Sequence, residues 1–292
     1  MTAKRRDLDA PMPFQRALLW SLFWLGFALL TTLVLWLTLP NGGEHALAFL
    51  AGYLIEESLS VDNLFVFLML FTYFKISTRL QRRVLNYGII GVIVLRGIMI
   101  LAGIGLVNRF EFMMYIFGII VLYTAFKLFF ENEKEFNADQ SIIIKWTRKL
   151  FPVSREFHGD KFFIRQAGKL IATPLFIVLV VVEFTDLLFA LDSIPAIFAV
   201  TREPIVIYAS NILAVLGLRS LYFLLERMHT GFRFVQKGVA VILLFVGAKM
   251  IAPFFWKDLT ISTLHSLIVI LGILLLSILA SLIFPEKKEA KA

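Results

Sequence analysis

The chain has 292 residues, no cysteine, 59% hydrophobic residues and 17% charged ones, with a mean hydropathy of +0.84. A soluble domain carries about a quarter charged residues, and this composition in water would leave large apolar patches exposed. A soluble enzyme, a disordered scaffold, a disulfide framework, thiolate metal sites and thiol redox chemistry are therefore excluded. The net charge of +8 reads as cationic loops that orient a membrane protein, because no basic stripe interleaved with aromatics points to nucleic acid.

A spanning helix needs roughly 20 mostly apolar residues. That rule gives eight stretches, taken in chain order: 17–39, 46–74, 84–107, 110–130, 173–200, 204–225, 239–256 and 261–284. The expected fold class is an all-α polytopic membrane protein with eight transmembrane helices in a single membrane domain, 1–292. Pro40-Asn41-Gly42-Gly43 stops the first span, which reads as an uncleaved anchor because no small-residue cleavage site follows closely. Only Asn108 and Arg109 separate spans three and four, which predicts a tight helical hairpin. The loop over 131–172, about 40 residues long, is too small for a core of its own. Within it Ile142 to Phe151 reads either as an amphipathic helix on the inner leaflet or as a solvated linker.

Lys and Arg counts in the tail, the successive loops and the second tail run 4, 0, 4, 1, 8, 1, 3, 1, 3. The alternation predicts an inner (plasma) membrane protein with both termini cytoplasmic.

Six of the 21 acids fall in two spans: Glu56, Glu57 and Asp62 in span two, and Glu183, Asp186 and Asp192 in span five. Each costs roughly 2.5 to 3.5 kcal/mol at the bilayer centre, so such residues face a bundle interior or a water-filled path and mark ion or proton routes. The alternative is structural pairing with the deep bases Arg96, Lys127, Arg219 and Lys249, of which the two lysines are also placed to snorkel. Glu183 and Asp186 share one helical face. Glu56 to Asp62, like Asp186 to Asp192, is six residues, about 120° around the axis and 9 Å along it. Such pairs converge only if the helix unwinds or if each helix supplies part of one site. Pro195, beside Asp192, allows either a plain kink or local unwinding. With no Cys, and no His in these spans, the candidate ligands are carboxylates, Asn63, Ser193, Asn211 and backbone carbonyls. An all-oxygen set suits Mg, Ca or Mn and disfavours Cu and Zn. His265 lies outside the acidic pair and reads as a satisfied helix residue.

The order of charges repeats. Acids six apart in span two, Arg96 in span three and Lys127 in span four are followed by acids six apart in span five, Arg219 in span six and Lys249 in span seven. Arginine to lysine is 31 residues in the first half and 30 in the second. Residues 46–130 and 173–256 thus read as two three-helix copies, and by the loop charges the copies are inverted, as in many secondary transporters with midplane sites.

The segments Glu56-Glu57-Ser58-Leu59-Ser60-Val61-Asp62-Asn63, Leu80-Gln81-Arg82-Arg83-Val84, Val94-Leu95-Arg96, Val182-Glu183-Phe184-Thr185-Asp186, Phe189 to Val200 and Leu216-Gly217-Leu218-Arg219-Ser220 carry a further signal. Together they resemble the TerC family of integral membrane proteins, and within it the Alx-type branch of manganese exporters. The resemblance covers roughly 46–253. It implies Mn²⁺ efflux across the cytoplasmic membrane, with Mn²⁺ as transported substrate and no permanently bound cofactor. It carries over Glu56, Asp62, Glu183, Asp186 and Asp192 as metal ligands, with Asn63, Ser193, Asn211, Arg96, Arg219, Lys127 and Lys249 in support. The family name comes from tellurite-resistance operons. The resemblance to Alx-type members implies one N-terminal span more than the eight read here.

The expected function is Mn²⁺ export by alternating access, with protons counter-moving on the same carboxylates. The expected partners are a divalent metal ion and the lipid bilayer, with no nucleic acid. The alternative is a membrane partner that assists insertion or metal loading of exported proteins. No enzyme is expected: Asp62 and Asp186 lack the Gly-x-Gly-Asp context of intramembrane aspartyl proteases.

Overall fold

The computed structural model describes residues 13–130, 146–147, 149, 151–154, 156–166, 168–227, 233–256 and 261–283. Eight of its helices are 18 residues or longer: α1 (Phe14–Thr38), α2 (Gly42–Tyr73), α3 (Thr78–Arg109), α4 (Met113–Phe130), α5 (Pro174–Phe198), α6 (Pro204–Arg227), α7 (Arg233–Phe255) and α8 (Thr263–Ile283). Seven are long and apolar enough to cross a membrane; α2 is the one left out by that measure. Its 32 residues would reach about 48 Å, and its acids account for the difference in composition. The molecule is a multi-pass integral membrane protein.

The helix ends follow local chemistry. Leu39, extended before Pro40, closes α1, and Asn41 takes a left-handed turn (φ 55°) into α2. A Cβ on Gly42 would meet the Leu35 carbonyl oxygen at 2.6 Å, so the close approach of this corner requires glycine. Pro174 opens α5 from its first turn, where a missing N–H costs nothing.

The bundle is apolar outside and has an apolar core that encloses a small set of buried polar groups. Helix α1 buries only Ala17 and Ala28, packs Trp24 and Leu35 against the core, and leaves most of its other Leu, Phe and Trp side chains exposed as lipid-facing residues are. The central element is α2, which packs on α1, α5, α6, α7 and α8 and buries Glu56, Ser58, Ser60 and Asn63. The main contacts keep their pattern when α2, α3 and α4 are exchanged for α5, α6 and α7. Thus α3 packs on α5 as α6 packs on α2, α4 packs on α5 as α7 packs on α2, and α2–α5, α3–α6 and α4–α7 map onto themselves.

One expectation changes and one open alternative closes. The α3–α4 connection is as short as predicted, but its arms scarcely touch, because α4 packs instead on α7. Gly118 and Gly247 permit that close approach: a Cβ on Gly118 would come within 2.8 Å of Ile251, and one on Gly247 within 3.1 Å of the Leu122 backbone nitrogen. Helix α5 also runs unbroken through Pro195 and ends at Phe198, so no unwinding separates Asp192 from Asp186. One proline near the C-terminal end of a packed helix removes one hydrogen bond without breaking the rod.

The four Lys/Arg-poor connections meet at one end. Asn41, Glu111, Arg202 and Ser262, one from each, border a cavity of about 860 Å³. At the Lys/Arg-rich end an antiparallel hairpin, β1 (Phe163–Gln166) with β2 (Lys169–Ala172), turns at Gly168 (φ 77°). Sequence reading gave no strands there. Before it, Asp160 accepts from Arg83 at 2.9 Å and lies 3.6 Å from Arg79, fastening this segment to the start of α3. Most of Ile142 to Phe151 lies outside the described residues.

Candidate functional site

The site forms where α2, α3, α5 and α6 cross. Arg96 of α3 donates from Nε and Nη2 to the two carboxylate oxygens of Asp186, at 3.0 and 2.9 Å. Its Nη1 donates to Asn211 Oδ1 at 2.6 Å and also to Glu56 Oε1. The four residues are 1%, 2%, 0% and 0% exposed in the order Arg96, Asp186, Asn211, Glu56. The fork to Asp186 is the bidentate geometry that guanidinium and carboxylate share. Glu56 Oε2 is buried with no hydrogen-bond partner. Asn211 also donates from Nδ2 to the Ile207 carbonyl at 3.4 Å, which turns its oxygen toward Arg96.

Glu183 lies one turn before Asp186 on α5. Both its oxygens are buried without a hydrogen-bond partner. Its carboxyl group rests against Gly88 and Gly91 of α3, where a Cβ on Gly88 would meet Oε1 at 2.9 Å and one on Gly91 would meet Cδ at 2.6 Å. Glycine at both positions is what lets a carboxylate stand between the helices. Asp192, half-buried, accepts from Thr124 Oγ1 of α4 at 2.7 Å, and Lys127, one turn along, acts on it electrostatically.

The six-acid expectation therefore resolves into separate places. Glu56 and Asp186 meet, on one arginine. Glu183 stands beside them without that arginine, and Asp192 is held by α4. Asp62 is placed on α2, but its side chain lies outside the described residues. Among the described residues no group of three or more His, Asp or Glu side chains is gathered as a metal site. Asn63 and Ser193 are buried, and Ser193 Oγ has no hydrogen-bond partner. Glu57 has its Oε1 3.8 Å from where a Cβ on Gly217 of α6 would stand, and its Oε2 is buried without a hydrogen-bond partner.

The deep bases are not alike. Arg96 takes two acids. Arg219, its counterpart in the charge order, donates instead to Asn86 and shares with Asp186 the wall of a small apolar cavity. Lys249 donates to Ser266 at 2.8 Å and borders the large cavity at the Lys/Arg-poor end. His265 is satisfied by Ser262, 2.6 Å away. Sequence reading missed Asn86, Thr124 and Ser266, which are ordinary polar residues until a partner faces them. It also missed Gly88 and Gly91, although two glycines three apart on an apolar helix are a signal for close approach.

Comparison with known proteins adds the relatives. Alx of Salmonella typhi, a candidate membrane-bound redox modulator, is 43% identical over 293 residues, covering 98% of this chain and 90% of its own. Alx of Escherichia coli K12 is 44% identical over 279 residues, covering 94% of this chain and 86% of its own. An uncharacterized membrane protein of Myxococcus xanthus, STKORF319, is 43% identical over 270 residues, 92% of this chain and 83% of its own. No solved structure matches the chain. The model of the integral membrane protein TerC family matches residues 41–289, the whole stretch from the first turn of α2 to beyond α8, and the chain belongs to that family.

Proposed function

We propose that the protein is a secondary transporter that exports Mn²⁺ across the inner membrane by alternating access. One observation carries this reading: Glu56, Asp186 and Asn211 converge from three helices, buried, each through an oxygen atom, and their two carboxylates face the single positive charge of Arg96. Two carboxylates at membrane depth need a cation, and an all-oxygen set suits a hard divalent ion. Manganese and the outward direction rest on the TerC resemblance. Glu183 and Asp192 stand along the route with Asn63 and Ser193 as neutral oxygens, and Asp62 of α2 joins them as a ligand on the TerC resemblance alone. In this reading α2 is a span, the eight helices include two inverted three-helix copies, both termini are cytoplasmic, and the cavity of about 860 Å³ is the outer vestibule. The symmetric exchange of helix contacts supports the repeat. Protons counter-move on the carboxylates, and no reaction is catalysed.

The test is Mn²⁺ flux into proteoliposomes of the purified protein, with and without a pH gradient. Flux that is saturable, driven by the gradient and lost in D186N is the expected result. Saturable flux indifferent to the gradient removes the proton, and absence of flux removes the transporter.

The relatives' name favours a second reading, a membrane partner in redox homeostasis or in the loading of exported proteins. With no cysteine in the chain, such a role would not run through its own thiols. It predicts that D186N leaves partner recovery intact while abolishing no flux.

A further inference from the structure

Transport of an ion through this site leaves one feature without a role: a guanidinium already fills the cage. Arg96 is buried to 1% exposure, and its nitrogens reach four oxygens on α2, α5 and α6, while Arg96 itself comes from α3. The acceptors carry two formal negative charges and the guanidinium one positive charge. Glu56 accordingly keeps a second oxygen buried and unpartnered. A monovalent cation leaves this set short by one charge, and a divalent ion matches it.

A second anion waits beside the cage. Glu183 precedes Asp186 by three residues on the same face of α5, about 4.5 Å along the axis. Both its oxygens lack hydrogen-bond partners. It rests on Gly88 and Gly91, on the N-terminal side of Arg96 along the same helix. Side chains on a helix lean toward its N-terminus, so Glu183 lies in the direction that Arg96 takes most readily.

From these observations we infer that Arg96 is a tethered stand-in for the transported cation, holding the Glu56–Asp186–Asn211 cage when no ion is present and moving one turn to Glu183 when a divalent ion enters. The inference rests on the transport reading and deepens it. It assigns Glu183 as the arginine's alternative partner rather than as a direct ligand. It also explains why the described acids form no ready metal cluster: the arginine holds the cage closed around itself. The empty protein can then change conformation without two bare carboxylates at membrane depth.

The experiment is calorimetric titration of the purified full chain with MnCl₂ in detergent, for wild type, R96K, R96Q, E183Q and R96Q/E183Q, each shown monodisperse. Removing a competitor tightens binding, so R96Q should lower Kd about tenfold. R96K keeps the charge but loses the fork, and should lower Kd about threefold. E183Q should raise Kd about fivefold with Arg96 present and leave it unchanged in R96Q, a coupling between the two positions. A merely structural role for Arg96 predicts weaker binding, never tighter. An unchanged or raised Kd in R96Q overturns the inference. The same outcome in R96K does so if R96Q fails to fold. Equal weakening by E183Q in both backgrounds makes Glu183 a direct ligand and also overturns it. Wild type that binds no Mn²⁺ fails the transport reading itself, and the inference falls with it. Wild type that binds, with Kd indifferent to Arg96, fails the inference alone.

Discussion

At the scale of single residues the decisive contrast is between Asp186 and Asp192, which are six positions apart in one helix and alike in sequence context. Asp186 is buried in a bidentate pair with Arg96, whereas Asp192 is half-buried and held by the hydroxyl of Thr124. Removing one partner of a buried ion pair strands the other, at a cost of about 3–5 kcal/mol, while loss of one hydrogen bond to a charged group costs about 1.5–3 kcal/mol. D186N should therefore lower the thermal midpoint in detergent clearly more than D192N. An equal drop would mean that the Arg96 cage does not hold the bundle together. The sequence made every one of these charges visible, because each stands out in an apolar helix. It left the partners undecided. Arg96 and Arg219 occupy matching places in the charge order, yet one faces two acids and the other an asparagine. That choice depends on how α3 and α6 turn against their neighbours, and no local pattern encodes rotation about a helix axis.

At the scale of elements, the spans were legible because a lipid-facing helix must be apolar for roughly 20 residues. Their packing was less so. A connection as short as the one between α3 and α4 suggests neighbours, but α4 turns to α7, where Gly118 and Gly247 let the two backbones approach. In lipid, where apolar faces gain little by meeting each other, close backbone contact at small residues decides which helices pair. The β1–β2 hairpin was missed for another reason: strands of four residues are too short for an alternation to rise above chance. The α4–α7 seam gives its own prediction. A larger side chain at Gly247 runs into Leu122, including its backbone nitrogen, which no rotamer change can move aside. Overpacking of this kind costs about 1–3 kcal/mol. Gly247→Leu should lower the thermal midpoint. Gly272→Leu on α8, where a Cβ meets nothing within 4 Å, should leave it unchanged. Similar behaviour of the two variants would remove the seam as the pairing determinant.

At the scale of the whole molecule, two independent features give the bundle a direction. One is chemical: lysines and arginines concentrate in alternate connections. The other is geometric: the connections poor in those residues meet around one cavity, while Asp160 and the arginines of early α3 tie the opposite end together. Charge counting alone assigns each loop separately, but the cavity requires four of them to share one side. A chain without cysteine allows a direct check, since each introduced thiol is the sole target of a maleimide. Single cysteines replacing Glu111 or Thr201 border the cavity, and one replacing Asp160 lies at the far end. In intact cells a membrane-impermeant maleimide should label the first two and spare the third, which should react once the membrane is permeabilised. The reverse pattern would invert the molecule and turn the cavity toward the cytoplasm. Labelling of all three from one side would break the alternation itself, because an even number of crossings must then separate positions that the helix order places an odd number apart.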